Sequence, residues 1–192
     1  MLETLLSFDR SLFLFLNGLH CPFFDPVMYY GTWTVTWIPL FLFFLYAIIR
    51  RYKWQSLWII LFAALMVAAS DQLSNLVKDW VARPRPTHQP GLEGIHTVAG
   101  YTGGPYGFYS AHASTSMAIA IFLVRMLMGR YRYFTVLILF WAFFRAYTRI
   151  YLGVHYPLDL VAGWAAGGAL GWGFGLACSR VVLYRSSPGT GV

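Results

Sequence analysis

The sequence predicts an all-α integral membrane bundle of about five transmembrane helices, preceded by an amphipathic N-terminal helix that lies in the interface. Three observations lead there. Apolar residues make up 58% of the 192 and charged residues only 11%, against roughly half and about a quarter in a soluble domain. Five stretches approach the ~20 mostly apolar residues that cross hydrocarbon as a helix. The cations gather in alternate connections, as they do in the cytoplasmic loops of membrane proteins. A soluble protein this apolar needs a polar coat, and 14 Lys plus Arg with 7 Asp plus Glu do not make one.

The first helix is expected over Leu2 to Leu19, where Glu3, Asp9, Arg10 and Asn17 interrupt the apolar run and favour an interfacial position. Its acidic start argues against a cleaved signal peptide. The spans are predicted at Thr32 to Ile49, Ser56 to Val81, Ala113 to Met128, Tyr133 to Tyr151, and Leu158 to Leu183. No linker divides the chain, so residues 1–192 read as one membrane-embedded domain.

Orientation follows from the connections. Arg50, Arg51 and Lys53 follow the first span, Arg125, Arg130 and Arg132 flank the third connection, and Arg180 and Arg185 sit at the end of the last span. Five spans place these groups on one side, which is then cytoplasmic. The connection from Arg83 to Ser110, the turn from Thr148 to Asp159 and the N-terminal helix fall on the other side. That topology fits a bacterial inner membrane with the unusual polar residues facing the periplasm or exterior.

Several features within the spans have structural readings. Gly163, Gly167, Gly171 and Gly175 form a four-residue ladder along one face of the last span, which lets another backbone approach closely. Packing within the chain is preferred to a homodimer seam. Asp71 and Arg145 fall at similar depths, and a buried ion pair is the expectation. Cys21 and Cys178 match no metal or redox spacing and read as small buried residues, or one as interfacial. The net charge of +7 is not concentrated in a basic run with polar and aromatic interleaving, so no nucleic-acid partner is expected.

Three clusters face the non-cytoplasmic side. The first is KDWVARPRP, Lys78 to Pro86, at the end of the second span. The second is GFYSAHAS, Gly107 to Ser114, where Ser110 suits a helix N-cap and His112 occupies the first turn. The third is TRIYLGVHYPLD, Thr148 to Asp159. Pro157 opens the last span there, and Asp159 follows His155 by four residues, a spacing that brings a carboxylate to an imidazole nitrogen. Together they offer Lys78, Arg85 and Arg149 as cations, two histidines, one carboxylate and a helix N-terminus. That set fits a phosphate. It lacks the several carboxylates that hold magnesium and any metal-ligand pattern of histidines, so neither a metal nor another cofactor is expected.

The order and spacing of these residues resemble the type 2 phosphatidic acid phosphatase superfamily over roughly residues 70–165. The family pattern is Lys, six residues, Arg-Pro; then Pro-Ser-Gly-His; then Ser-Arg, five residues, His, three residues, Asp. Here stand Lys78 with Arg85-Pro86, Tyr109-Ser110-Ala111-His112, and Thr148-Arg149 with His155 and Asp159. The resemblance implies that His155 attacks phosphorus to form a phosphohistidine, that Asp159 orients its ring, and that His112 protonates the leaving oxygen. It implies a phosphate clamp of Lys78, Arg85 and Arg149, with Ser110 and the backbone N–H of Ala111. Thr148 for serine, Ala111 for glycine and Tyr109 for proline depart from the pattern and bear on substrate choice more than on mechanism.

The expected activity is metal-independent hydrolysis of a lipid phosphate at the extracytoplasmic face. Undecaprenyl diphosphate, phosphatidylglycerol phosphate, phosphatidic acid and a phosphate of lipid A all suit such a pocket, and the sequence does not rank them. A lipid phosphotransferase of the same family is the alternative. A transporter is disfavoured because the charges collect at one face instead of crossing the membrane. The connection Thr87 to Gly107, with six glycines and two prolines, is long for a structureless loop and reads as a lid.

Overall fold

The computed structural model describes residues 1–127 and 132–186. Met128 and Arg130 lie outside the described residues, as do the side chains of Arg132, Leu183 and Arg185. The helices are α1 (Leu2–Gly18), α2 (Asp25–Gly31), α3 (Ile38–Tyr52), α4 (Ser56–Val81), α5 (Ala111–Leu127), α6 (Arg132–Tyr151) and α7 (Pro157–Ser186). No strand occurs among the described residues.

Among the described residues, three helical stretches are long and apolar enough to cross a bilayer: Val35–Val81, which contains α3 and α4, then Tyr133–Tyr151 and Pro157–Val182. The described part of the apolar α5 covers 17 residues, or about 26 Å of rise. The span expected from Thr32 begins later, because α2 ends at Gly31 and a single 3-10 turn, Val35–Trp37, leads into α3 at Ile38.

The centre of the bundle is the pair α5 and α7. All four ladder glycines of α7 face α5 of the same chain: a side-chain carbon on Gly163 would meet the Ser110 carbonyl oxygen, on Gly167 the Ser114 backbone, on Gly171 Ala118, and on Gly175 the Arg125 side chain. Close approach explains the glycines, and with α5 filling that face it is not free as a dimer seam. Ser70 of α4 reaches Ser114 (2.9 Å) and Thr115 (3.2 Å), and Ser116 donates to the Ala142 carbonyl of α6 (3.3 Å). Short polar side chains thus bind α4 and α6 to α5.

The Asp71–Arg145 ion pair does not form. Arg145 is buried on α6, donates to Thr34 Oγ1 at 3.0 Å, and lies 5.7 Å from the centre of the Trp141 ring. Asp71 is exposed on α4, where its partner is Asn75 (3.4 Å). The two stand at neighbouring depths on opposite walls of one cavity. Cys178 is buried and Cys21 exposed, both as free thiols.

α1 lays one stripe, Asp9, Phe13 and Asn17, against the ends of α6 and α7. Phe13 meets Tyr156 edge-on at 5.4 Å. Asn17 donates to the carbonyls of Ile150 and Tyr151, both at 2.9 Å. At the opposite end of the bundle, Tyr52 donates to the Met126 carbonyl and Gln55 to that of Val182, near Arg50, Arg51 and Arg125. The basic end and the end carrying the three polar clusters are therefore opposite poles.

Candidate active site

Local chain signals deliver each polar side chain to the same pole. α4 closes with Ala82 in the left-handed conformation, its N–H on the Lys78 carbonyl at 2.8 Å, and Pro84 and Pro86 then prevent the helix from resuming. Lys78 is left in the last turn and Arg85 on an extended segment that pairs with residues 105–107: Arg85 N–H donates to Pro105 and Gly107 N–H to Arg83. After α6, Gly153 turns the chain at φ +76°, where any Cβ would also lie 2.8 Å from the His96 carbonyl oxygen. That turn sends His155 inward. Pro157 then starts α7, and Asp159 falls in its first turn.

His155 is 2% exposed and Asp159 fully buried. Nδ1 of His155 lies 3.3 Å from Oδ2 of Asp159, and Nε2 lies 3.1 Å from Nη1 of Arg85. A guanidinium only donates, so the neutral ring accepts at Nε2 and carries its proton on Nδ1, donated to Asp159. The partners thus select the tautomer whose Nε2 lone pair points toward the cations. Burial, reinforced by the charges of Arg85, Arg149 and Lys78, holds the His155 pKa well below the ordinary imidazole value. The ring is a neutral base at neutral pH.

Asp159 has further partners. Its Oδ2 accepts from the Tyr156 N–H (3.0 Å) and its Oδ1 from Arg83 Nη1 (2.8 Å). Arg83 simultaneously donates from Nη2 to Asp9 Oδ2 at 2.6 Å and stacks 4.1 Å from the centre of the Tyr156 ring. Asp9 Oδ1 accepts from the Leu158 N–H at 2.9 Å. A chain from α1 through Arg83 to Asp159 therefore sets the carboxylate that sets His155. Sequence reasoning passes over Arg83 and Asp9 as site residues. The available signal is the stripe Asp9, Phe13, Asn17 at four-residue spacing, which puts a carboxylate in phase with the buried phenylalanine.

Arg149 is 2% exposed and donates to Thr32 Oγ1 (2.6 Å) and to the Tyr101 hydroxyl (2.9 Å). Arg85 also donates to the carbonyls of Tyr106 (3.0 Å) and Val154 (3.3 Å). Lys78 is half-buried, its Nζ 3.4 Å from Asn75 Oδ1, with Arg85 and Arg149 within electrostatic reach. Gly107 lets the loop backbone pass against Arg85, Asp159 and His155; a Cβ there would lie 3.2 Å from the first two. Ser110 caps α5, accepting from the Ala113 N–H at 3.4 Å, and its own N–H donates to the Asp159 carbonyl at 3.0 Å. The N–H groups of Ala111 and His112 belong to that first turn. Thr148 spends its hydroxyl on the Arg145 carbonyl (2.7 Å).

His112 opens onto a cavity of about 930 Å³ between α3, α4 and α5, whose walls below it are apolar, with Phe44, Ile59, Met66 and Phe122 among them. Tyr109 is 5% exposed and does not line this cavity. The connection 87–107 is not structureless. Thr87 donates to the Thr102 carbonyl (2.9 Å), and His96 is fixed by Asn17 Oδ1 on its N–H (2.8 Å), by Asp25 on Nε2 (3.0 Å) and by stacking on His20. His96 is thus an anchor of the loop, while His88 and Glu93 are exposed.

A membrane-embedded helical bundle with a neutral, oriented histidine among three cations defines a phosphoryl-transfer class. The PAP2 superfamily model matches residues 56–187. The chain is 40% identical over 199 aligned positions, all of this chain and 88% of the relative, to a protein of Bacteroides thetaiotaomicron named lipid A 4'-phosphatase. It is 36% identical to one of Porphyromonas gingivalis with the same name, over 86% of this chain and 71% of the relative. The fold is similar to the crystal structure of a transmembrane PAP2-type phosphatidylglycerolphosphate phosphatase from Bacillus subtilis, with a TM-score of 0.66, 21% identity, and coverage of 93% of this chain and 87% of that one. The chain belongs to the PAP2 superfamily and is an integral membrane phosphatase.

Proposed function

We propose that this protein hydrolyses a phosphate monoester from an acylated saccharide lipid of the lipid A type, through a phosphohistidine on His155. The observation that carries the mechanism is the orientation of His155, with Nδ1 on Asp159 and Nε2 toward Arg85. The names of the relatives at 40% and 36% identity support lipid A phosphate over the other lipids considered.

In the first step the Nε2 lone pair attacks phosphorus, the bond from phosphorus to the lipid oxygen breaks, and His112 gives that oxygen a proton. Lys78, Arg85 and Arg149 hold the phosphoryl oxygens, with Ser110 and the Ala111 N–H at the start of α5. Asp159 supports the positive charge on the ring as the N–P bond forms. In the second step water gives a proton to His112 and attacks phosphorus, the N–P bond breaks, and inorganic phosphate leaves. Both histidines return to their starting state.

The separation of the poles supports a five-span topology, with α3 to α7 each crossing and Arg50, Arg51, Lys53 and Arg125 on the cytoplasmic side. The site then faces the periplasm of a bacterial inner membrane, and α1 lies in that interface. The apolar cavity below His112 accommodates acyl chains while the phosphate stays at the polar pole.

Purified protein in detergent, given lipid A, phosphatidic acid, phosphatidylglycerol phosphate or undecaprenyl diphosphate with EDTA present, tests the reading. Inorganic phosphate is expected fastest from lipid A. Release only on adding magnesium, or phosphate appearing on a lipid acceptor instead of in solution, contradicts it.

A further inference from the structure

Arg145 has no part in the phosphate clamp, and its position asks for a ligand. It is 7% exposed, yet it lines the cavity beside His112, and its Nε is buried without an acceptor. Among the described residues its guanidinium finds one hydrogen-bond acceptor, Thr34 Oγ1. A buried guanidinium with unfilled donors is costly unless something supplies an oxygen.

Its depth is set by neighbouring contacts. Ser116 of α5 meets the Ala142 carbonyl, and α5 and α6 run antiparallel, so Arg145, three residues nearer the polar pole, stands level with Ala113 and His112. Arg149 lies one turn nearer the phosphate, about 6 Å along α6. Across the cavity, the Ser70 contacts to Ser114 and Thr115, with α4 and α5 antiparallel, place Asp71 and Gln72 within about half a turn of the depth of His112 and Arg145. A lipid whose phosphate sits at Arg149 and whose leaving oxygen faces His112 thus presents its next few atoms to Arg145.

We propose that Arg145, with Asp71 and Gln72 opposite, is a specificity subsite for the leaving group, and that Arg145 donates to an ester or amide carbonyl oxygen a few bonds from the phosphate. The proposal rests on the phosphatase reading above. Arg145 and Asp71 together carry no net charge, which favours a neutral polar group over a second phosphate. An isoprenoid leaving group offers no acceptor at this depth and leaves the guanidinium unfilled. The subsite therefore prefers acylated saccharide or glycerol phosphates to polyprenyl ones.

The test compares kcat/KM for lipid A and for undecaprenyl phosphate in wild type and Arg145→Met, with p-nitrophenyl phosphate as a substrate that does not enter the cavity. The ratio of lipid A to undecaprenyl phosphate is expected to fall about ten-fold or more, as a lost hydrogen bond to a charged donor requires. A ratio within two-fold of wild type overturns the proposal. Should Arg145→Met not accumulate, Gln72→Ala, on an exposed part of the cavity wall, is expected to lower the same ratio several-fold, and an unaltered ratio there also overturns it. Wild type that releases phosphate from none of the three substrates sinks the phosphatase reading itself. Activity on p-nitrophenyl phosphate with an unaltered lipid ratio sinks only the subsite.

Discussion

Nη1 of Arg83 lies 2.8 Å from Oδ1 of Asp159, leaving Oδ2 for His155. The same guanidinium joins Asp159 to Asp9 of the N-terminal helix, so two buried carboxylates share one cation. Removing that cation strands both. Arg83→Gln is therefore expected to cost about 3–5 kcal/mol, read as a lower Tm, and to reduce kcat as Asp159 loses its orientation. A melting temperature and kcat equal to wild type would show that the bridge does neither.

Asp159→Asn tests the tautomer. With the amide oxygen retained by Arg83, the amide nitrogen faces His155 Nδ1 and donates to it, which forces the ring proton onto Nε2 and blocks attack. kcat is expected to fall on the order of 10⁴-fold, with KM little altered. A rise in KM alone, with kcat unchanged, would assign Asp159 to substrate binding instead.

The pH profile follows from the surroundings of His155. Burial and three neighbouring cations favour the neutral ring, so its pKa is lowered and protonation requires a more acidic solution than for free imidazole. The nucleophile is lost only as pH falls through that lowered value. The acid limb of kcat/KM, after dividing out the substrate's own titration measured by phosphorus NMR, is expected below about pH 6.5. An acid limb above that value would mean that the ring is stabilised as a cation.

The contact between α5 and α7 depends on Gly167, where a Cβ would run into the Ser114 backbone. Backbone cannot yield as a flexible side chain does. Gly167→Ala is expected to destabilise by about 1–3 kcal/mol, read by thermal melting in detergent, whereas Gly173→Ala meets nothing within 4 Å and changes little. Equal effects of the two substitutions would contradict the packing described here.

The spans and the three clusters could be read in the sequence because each is written locally: apolar length, a proline or hydroxyl at a helix start, and a four-residue step from His155 to Asp159. What could not be read depends on rotation about helix axes and on distant partners. Asp71 and Arg145 share a depth, but each helix turns its residue to a different wall, so depth alone suggested a pair that does not exist. Asp9 looked like a mere interruption of an interfacial helix, because its cation lies 74 residues away. His96 is likewise held by distant partners, Asn17 of α1 and Asp25 of α2, which no local signal marks. α2 itself spans only seven residues and carries too short a period to be seen.

The central claim is a covalent phosphate on His155. Protein mixed with lipid A labelled with ³²P, quenched in alkali within the first turnover and digested for mass spectrometry, tests it most directly. The account predicts an alkali-stable, acid-labile phosphate on Nε2 of His155 that accumulates when His112→Ala slows hydrolysis of the intermediate. Label on Ser110, or turnover in which no phosphoprotein forms in either protein, would contradict it.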